Sequence, residues 1–225
     1  MRYLVTGSNR GIGLELARQL LARGDEVIGT LRGEAPSALS NLAGERLRLV
    51  RCDVTLPESL GALAEALDGV ALDVVINNAG VIGGMTSLER IDLADARRTF
   101  EVNALGPLAV AQVALPALLR GSAKQIVAIS SGMGSIGTNT DGGAYAYRMS
   151  KAALNMAVRS MSVDLARRGF VCVVMNPGWV QTDMGGRGAP TPVKESVRLM
   201  LDRLGRLTKA DNGRFLDYLG GEIEW

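Results

Sequence analysis

The feature that restricts this chain most is its opening. An apolar run, Tyr3-Leu4-Val5, passes at once into Thr6-Gly7-Ser8-Asn9-Arg10-Gly11-Ile12-Gly13 and then into the helical pattern of Leu14 to Arg23. Gly24 follows as a helix C-cap, a position whose left-handed backbone suits glycine. Glycines so spaced let a chain turn tightly and bring its backbone close to an anion, and the helix start behind them offers unpaired N–H groups to a pyrophosphate. The string marks a dinucleotide cradle, with Gly7, Ser8, Asn9, Arg10, Gly11, Ile12 and Gly13 as candidate binding residues.

The same alternation continues to the end of the chain. Strand-like runs lie at Val27 to Leu31, Leu47 to Cys52, Val74 to Asn77, Ile126 to Ile129, Val171 to Met175 and Phe215 to Leu219. Between them lie helical stretches at Pro57 to Leu67, Leu93 to Leu119 (with a kink expected at Pro107), Ala144 to Arg168 and Pro192 to Arg206. Strands alternating with helices predict an α/β fold: one Rossmann-type domain over residues 1–225, a doubly wound parallel sheet of about seven strands with helices on both faces. With 225 residues, 47% of them hydrophobic, the chain can bury a core of that size.

Charge and composition remove several classes of function. The 25 Lys and Arg against 23 Asp and Glu give a net charge of +2, which argues against a nucleic-acid binder. With no histidine in the chain, His-based triads and most zinc chemistry are excluded, and no metal site is expected. The most apolar long run, Leu105 to Leu119, is interrupted by Gly106, Pro107, Gln112 and Pro116 and predicts no membrane span. Cys52 and Cys172 sit in apolar strand-like settings and read as buried thiols of a reducing compartment. The first strand begins at about Arg2, leaving no room for a signal peptide, so a cytoplasmic protein is expected.

The second chemical signal is Tyr147-Arg148-Met149-Ser150-Lys151, inside the helix predicted from Ala144. Residues four apart share a helix face, so the Tyr147 phenol and the Lys151 ammonium are neighbours. A cation beside a phenol favours the phenolate; bringing Tyr147 near neutrality takes roughly 3 pKa units, or ~4 kcal/mol. A phenol so tuned can exchange a proton with a carbonyl or alcohol oxygen.

After the second strand, a fold of this kind that selects NAD carries an acid for the ribose hydroxyls. Here Leu31 and Arg32 stand instead, with Arg10 in the glycine turn. Two guanidiniums and no carboxylate suit a 2′-phosphate, so NADPH/NADP is the cofactor expected in preference to NAD. Met149, Met156 and Met161 are expected in the core. The apolar face of Leu93 to Leu119 reads either as core or as a seam between subunits. Trp179, Met184 and the Gly- and Pro-rich stretch Gly185 to Pro192 read either as a substrate lid spanning about 182–200 or as an ordinary surface loop.

Taken in order, Thr6-Gly7-x-x-x-Gly11-x-Gly13, Asp53-Val54, Asn77-Asn78-Ala79-Gly80, Asn103, Ser131, Tyr147-x-x-x-Lys151 and Pro177-Gly178 with Thr182 resemble the short-chain dehydrogenases/reductases over nearly the whole chain. Gly134-Ser135-Ile136, Thr140 to Tyr147, Pro177 to Gly186 and Trp225 are similar to its sniffer and C-factor-like carbonyl reductases. Some members of that branch are better known for signalling, so a dinucleotide-binding signalling protein is the alternative. The resemblance implies hydride transfer from NADPH to a small or medium aldehyde or ketone, and a homodimer or homotetramer. It implies Tyr147 as acid/base, Lys151 on the nicotinamide ribose, Ser131 on the substrate carbonyl and Asn103 holding a water that relays protons. It also implies Asp53 and Val54 at the adenine, Asn78, Ala79, Gly80, Pro177 and Gly178 along the cofactor, and Val180 with Thr182 at the carboxamide. Ser130 and Ser135 remain alternative partners for the carbonyl.

Overall fold

The computed structural model describes residues 1–42 and 44–225. Seven strands, β1 (Arg2–Val5), β2 (Glu26–Leu31), β3 (Leu47–Arg51), β4 (Val74–Asn77), β5 (Gln125–Ile129), β6 (Val171–Asn176) and β7 (Phe215–Asp217), form one sheet in the order β3-β2-β1-β4-β5-β6-β7. Every pairing between them is parallel. The chain moves outward from β1 to β3, then returns to lay β4 on the other side of β1. That reversal opens a crevice beyond the carboxyl ends of β1 and β4, the place where open α/β sheets bind ligands.

Alternate side chains on each strand feed two cores. Tyr3, Val5, Val27, Val74 and Ile76 pack with Leu16 and Leu20 of α1 (Gly11–Ala22) and with Val197, Met200 and Leu201 of α7 (Val193–Leu204). Leu4, Ile28, Val75, Ile126 and Cys172 pack on the other face with α3 (Pro57–Ala66), α5 (Gly106–Arg120) and α6 (Tyr145–Asp164). The short α2 (Ser37–Ser40) and α4 (Leu93–Phe100) complete the helices. Cys52 and Cys172 are buried free thiols, and burial raises them to about 11 and about 12.

The structure refines one expectation and corrects another. The long helix runs unbroken from Leu93 to Arg120, and its irregularity is a π-helical turn, Glu101–Leu105, just ahead of Pro107. The α4–α5 stretch is long and apolar enough to cross a bilayer by length and composition, yet half of it is buried within the protein. Met149 and Met156 are 59% and 66% exposed, and only Met161 is buried. The first two align seven residues apart with exposed Val163, on the side of α6 away from the sheet. Met161 is five residues beyond Met156 and so falls on a different side.

The end of α5 is held by Arg120, whose Nε and Nη2 donate to the Val70 and Leu67 carbonyls at 2.8 and 3.0 Å, and by backbone. Leu72 N–H donates to the Ala117 carbonyl at 3.0 Å, and a Cβ on Gly121 would stand 1.8 Å from the Leu72 carbonyl oxygen. Gly121→Ala must therefore push α5 off this segment, at a cost of about 1–3 kcal/mol. Gly61→Ala, in α3 with open space around it, should leave stability unchanged or raise it. Thermal unfolding of the two variants checks this, and equal melting temperatures would contradict it.

Candidate active site

The glycine turn joins β1 to α1 in a conformation only glycine accepts at three places. Gly7 and Gly11 have φ +66° and +53°, and a Cβ on Gly13 would lie 2.1 Å from the Gly7 carbonyl oxygen. The exit of β4 is laced to this turn. Thr6 Oγ1 accepts from the N–H groups of Asn78 and Ala79, both at 3.0 Å, and Asn78 Nδ2 donates to the carbonyls of Thr6 and Gly7 at 2.9 and 3.2 Å. Beside the turn is an open cleft of ≈ 570 Å³ lined by Gln181, Thr182, Asp183, Gly186 and Arg187. Thr182 is in van der Waals reach of a Cβ built on Gly11. A side-chain-free backbone cradle and a helix start at the strand reversal fit a dinucleotide.

Not every residue of the motif faces that cleft. Ser8 is fully buried, its Oγ donating to the Thr30 carbonyl at 3.1 Å, so it anchors the turn to β2. Asn9 and Ile12 are half-buried. Arg10 is exposed and reaches Asp183 at 3.5 Å across the cleft. Arg32 is also exposed, and no contact brings it together with Arg10; its carbonyl accepts instead from Arg51 Nε at 3.0 Å. Asp53, at the end of β3, takes the N–H and Oγ1 of Thr55 on Oδ1 at 3.0 and 2.8 Å, and Val54 packs against Gly106. Pro177 is buried, Gly178 (φ +78°) turns the chain against the Tyr218 ring, and Val180 pairs with Thr191.

Across the crevice α6 presents Tyr147 and Lys151 side by side, both buried. Lys151 Nζ lies 5.7 Å from the Tyr147 ring centre and donates to the Ile129 carbonyl at 2.9 Å. The Ser131 hydroxyl, which follows β5 and accepts the Met133 N–H at 3.2 Å, acts on the Tyr147 phenol and opposes its upward shift. Ser130 Oγ is committed to Asn155 Oδ1 at 2.7 Å, and Ser135 Oγ accepts the Thr138 N–H at 3.2 Å. α6 starts from three consecutive left-handed residues, Gly142, Gly143 and Ala144, with Ala144 N–H donating to the Thr86 carbonyl at 3.0 Å. A left-handed alanine costs roughly 1–2 kcal/mol. The surrounding contacts must hold it there, and the reward is a fixed entry angle for Tyr147.

The expected acidification of Tyr147 is reversed in the protein alone. Burial raises the phenol, and only the Ser131 hydrogen bond opposes it. Burial also lowers Lys151 to about 8. Desolvation therefore outweighs mutual attraction for both groups. Asn103 ties the loop after β4 to α6: its Nδ2 donates to the Val81 carbonyl and to Ser150 Oγ at 2.8 and 2.9 Å, and its Oδ1 accepts the Val81 N–H at 2.8 Å, which leaves one Oδ1 lone pair for a further donor.

Sequence reasoning passed over Asn155, which joins Ser130 to the Gly134 carbonyl and so holds the start of the β5–α6 connection. The signal was present: Asn155 continues the 147–151 stripe by one more turn on a buried face. The expected lid is shorter than 182–200, because residues from Val193 belong to α7, whose Val197 and Met200 are core. What remains is the irregular segment 181–191, pinned by Trp179 Nε1 to the Gly185 carbonyl at 2.8 Å and by Gly185 N–H to Thr182 Oγ1 at 3.0 Å.

The Lys151 shift has a signed consequence. Its folded value lies below the ordinary 10.5. The cost of a buried ammonium is therefore fully present below about pH 8 and is relieved as pH rises toward the unfolded value. The melting temperature of the cofactor-free protein, measured against Lys151→Met from about pH 7 to pH 10, should close the gap as pH rises. A pH-independent gap would show the ammonium is not desolvated.

The model of the family described as short chain dehydrogenase matches residues 2–191. C-signal of Myxococcus xanthus is 56% identical over 154 residues, 68% of this chain and 93% of that protein. The solved carbonyl reductase Sniffer of D. melanogaster superposes with a TM-score of 0.95 at 33% identity, over 100% of this chain and 99% of that one. The NADPH-bound carbonyl reductase from chicken fatty liver does so with 0.92 at 36% identity, over 100% and 98%. A family match over most of the chain, with the motifs standing where the fold requires them, leaves one conclusion: the chain belongs to the short-chain dehydrogenase family.

Proposed function

We propose that this protein is an NADPH-dependent carbonyl reductase acting on a small or medium aldehyde or ketone. The observation that carries the reading is the meeting of Ser131, Tyr147 and Lys151 at one side of the crevice whose other side is the glycine turn. In this reading Gly7, Gly11 and Gly13 receive the pyrophosphate, Asp53 and Val54 flank the adenine, and Asn78 to Gly80 and Pro177 to Thr182 border the rest of the cofactor. NADPH, when bound, supplies the hydride for the carbonyl carbon.

The chain's own residues handle the oxygen. Ser131 and Tyr147 both offer O–H groups to it, and donors already aimed at a developing oxyanion need no reorganisation during the reaction. Tyr147 gives up the proton. Because burial keeps its phenol protonated at neutral pH, the acid is loaded in advance for reduction. The Lys151 ammonium then stabilises the phenolate left behind, and its bond to the Ile129 carbonyl fixes where that charge stands. Asn103 is a positioning residue, setting the loop after β4 against α6.

The segment 181–191, with Trp179 and Met184 exposed on it, is the substrate lid. The exposed apolar stripe of Met149, Met156 and Val163 on α6, beside Leu105 and Leu108, supports pairing with a second copy into a homodimer or homotetramer. The buried free thiols support a cytoplasmic location.

A carbonyl panel assayed with NADPH and NADH in parallel tests the reading, with reduction faster with NADPH as the expected result. Equal rates with the two cofactors would remove the phosphate preference; no turnover with either would remove the reductase itself. Tyr147→Phe should lower kcat by about 10²–10⁴-fold while NADPH still binds. A variant turning over at the parent rate would rule out the phenol as the acid.

A further inference from the structure

The serine that acts on Tyr147 is held from the edge of the sheet. The peptide joining Ser131 to Gly132 keeps its carbonyl inside the turn after β5, where it accepts the Gly134 N–H at 2.8 Å. Its N–H leaves that turn and donates at 3.2 Å to Oδ1 of Asn176, the last residue of β6. Asn176 stands in register with Asp217 of β7, and its Nδ2 donates to Asp217 Oδ2 at 2.7 Å. Asp217 is itself fixed by the tight turn that starts there. Its N–H donates to the Gly221 carbonyl and its carbonyl accepts the Gly220 N–H, both at 2.9 Å, while Oδ1 accepts the Leu219 N–H at 2.9 Å.

A side-chain amide has nearly the same shape from either end, but one arm donates and the other accepts. A carboxylate only accepts, so Asp217 admits Asn176 with Nδ2 toward itself and Oδ1 toward Gly132. The reversed amide would set donor against donor at Gly132 and acceptor against acceptor at Asp217. The selected orientation fixes the plane of the peptide after Ser131, and with it the direction of the bond that carries Oγ. The same end of the chain also reaches the far side of the β5–α6 connection. Ile223 N–H donates to the Phe215 carbonyl at 2.8 Å, and the Trp225 carbonyl accepts the Gly137 N–H at 3.0 Å.

We propose that Asn176 and Asp217 are positioning residues for Ser131. The carboxylate sets the amide, the amide sets the peptide, and the hydroxyl is thereby held on the substrate oxygen. This role rests on the reductase reading and adds to it two residues that never meet the substrate.

The test is a mutant cycle on the full chain, run with NADPH and the panel carbonyl that the parent reduces fastest. Asp217→Ala and Asn176→Ala should each lower kcat about tenfold, with the NADPH dissociation constant from a binding titration within about twofold of the parent. Asp217→Asn, which keeps an acceptor for Nδ2, should lose only about threefold. In a Ser131→Ala background each of these changes should cost less than about twofold more, because residues acting through one group are not additive. Where an alanine variant does not fold, Asp217→Asn carries the same comparison. Parent-like kcat in the folded single variants overturns the inference, and so does a loss that multiplies with that of Ser131→Ala. Weakening of NADPH in step with kcat also overturns it, because the pair would then be serving the cofactor. A Ser131→Ala variant at the parent rate removes the serine and this inference, while Tyr147→Phe still decides the reductase reading. A parent that reduces no carbonyl overturns both.

Discussion

The site depends on two loops being tied across the strand reversal. Adjacent strands β1 and β4 bring Thr6 and Asn78 together, and one hydroxyl and one amide make four hydrogen bonds between their loops. Without that lacing, the Gly7 carbonyl would not be fixed against the place where Gly13 has no side chain. A dinucleotide cradle is built from backbone, and backbone keeps its shape only if something else holds it. Here that duty falls on side chains that need not touch the ligand.

The catalytic side is built differently. Tyr147 and Lys151 are removed from water together, and each is pushed toward its neutral form. The neighbour relation along α6 is as expected, but its electrostatic result is not, because a shared burial penalty exceeds the attraction between the groups. The protein provides position and dryness, and further charge has to arrive with a ligand.

Much of this was legible in the amino-acid order, where local periodicity alone sets the geometry. The β1–turn–α1 unit and the Tyr147–Lys151 pair are both contained in single stretches, so spacing sufficed. Pairings between distant exposed side chains were not legible. Arg10 and Arg32 are both basic and both exposed, and the 3.5 Å approach of Arg10 to Asp183, far along the chain, has no mark in the local sequence. Pro107 is a visible disruptor, whereas the π-helical turn just ahead of it arises among residues with no such mark.

The connection between β5 and α6 is fastened at its two ends, by Asn155 to Gly134 and by Thr86 to Ala144. Between those anchors Ile136, Asn139 and Thr140 stand out in solvent. A stretch secured at its margins, and in between by the Gly137 N–H on the Trp225 carbonyl at 3.0 Å, can exchange its exposed residues without tilting the helix that bears Tyr147. Evolution could therefore reshape what this enzyme accepts as substrate while leaving its proton chemistry untouched.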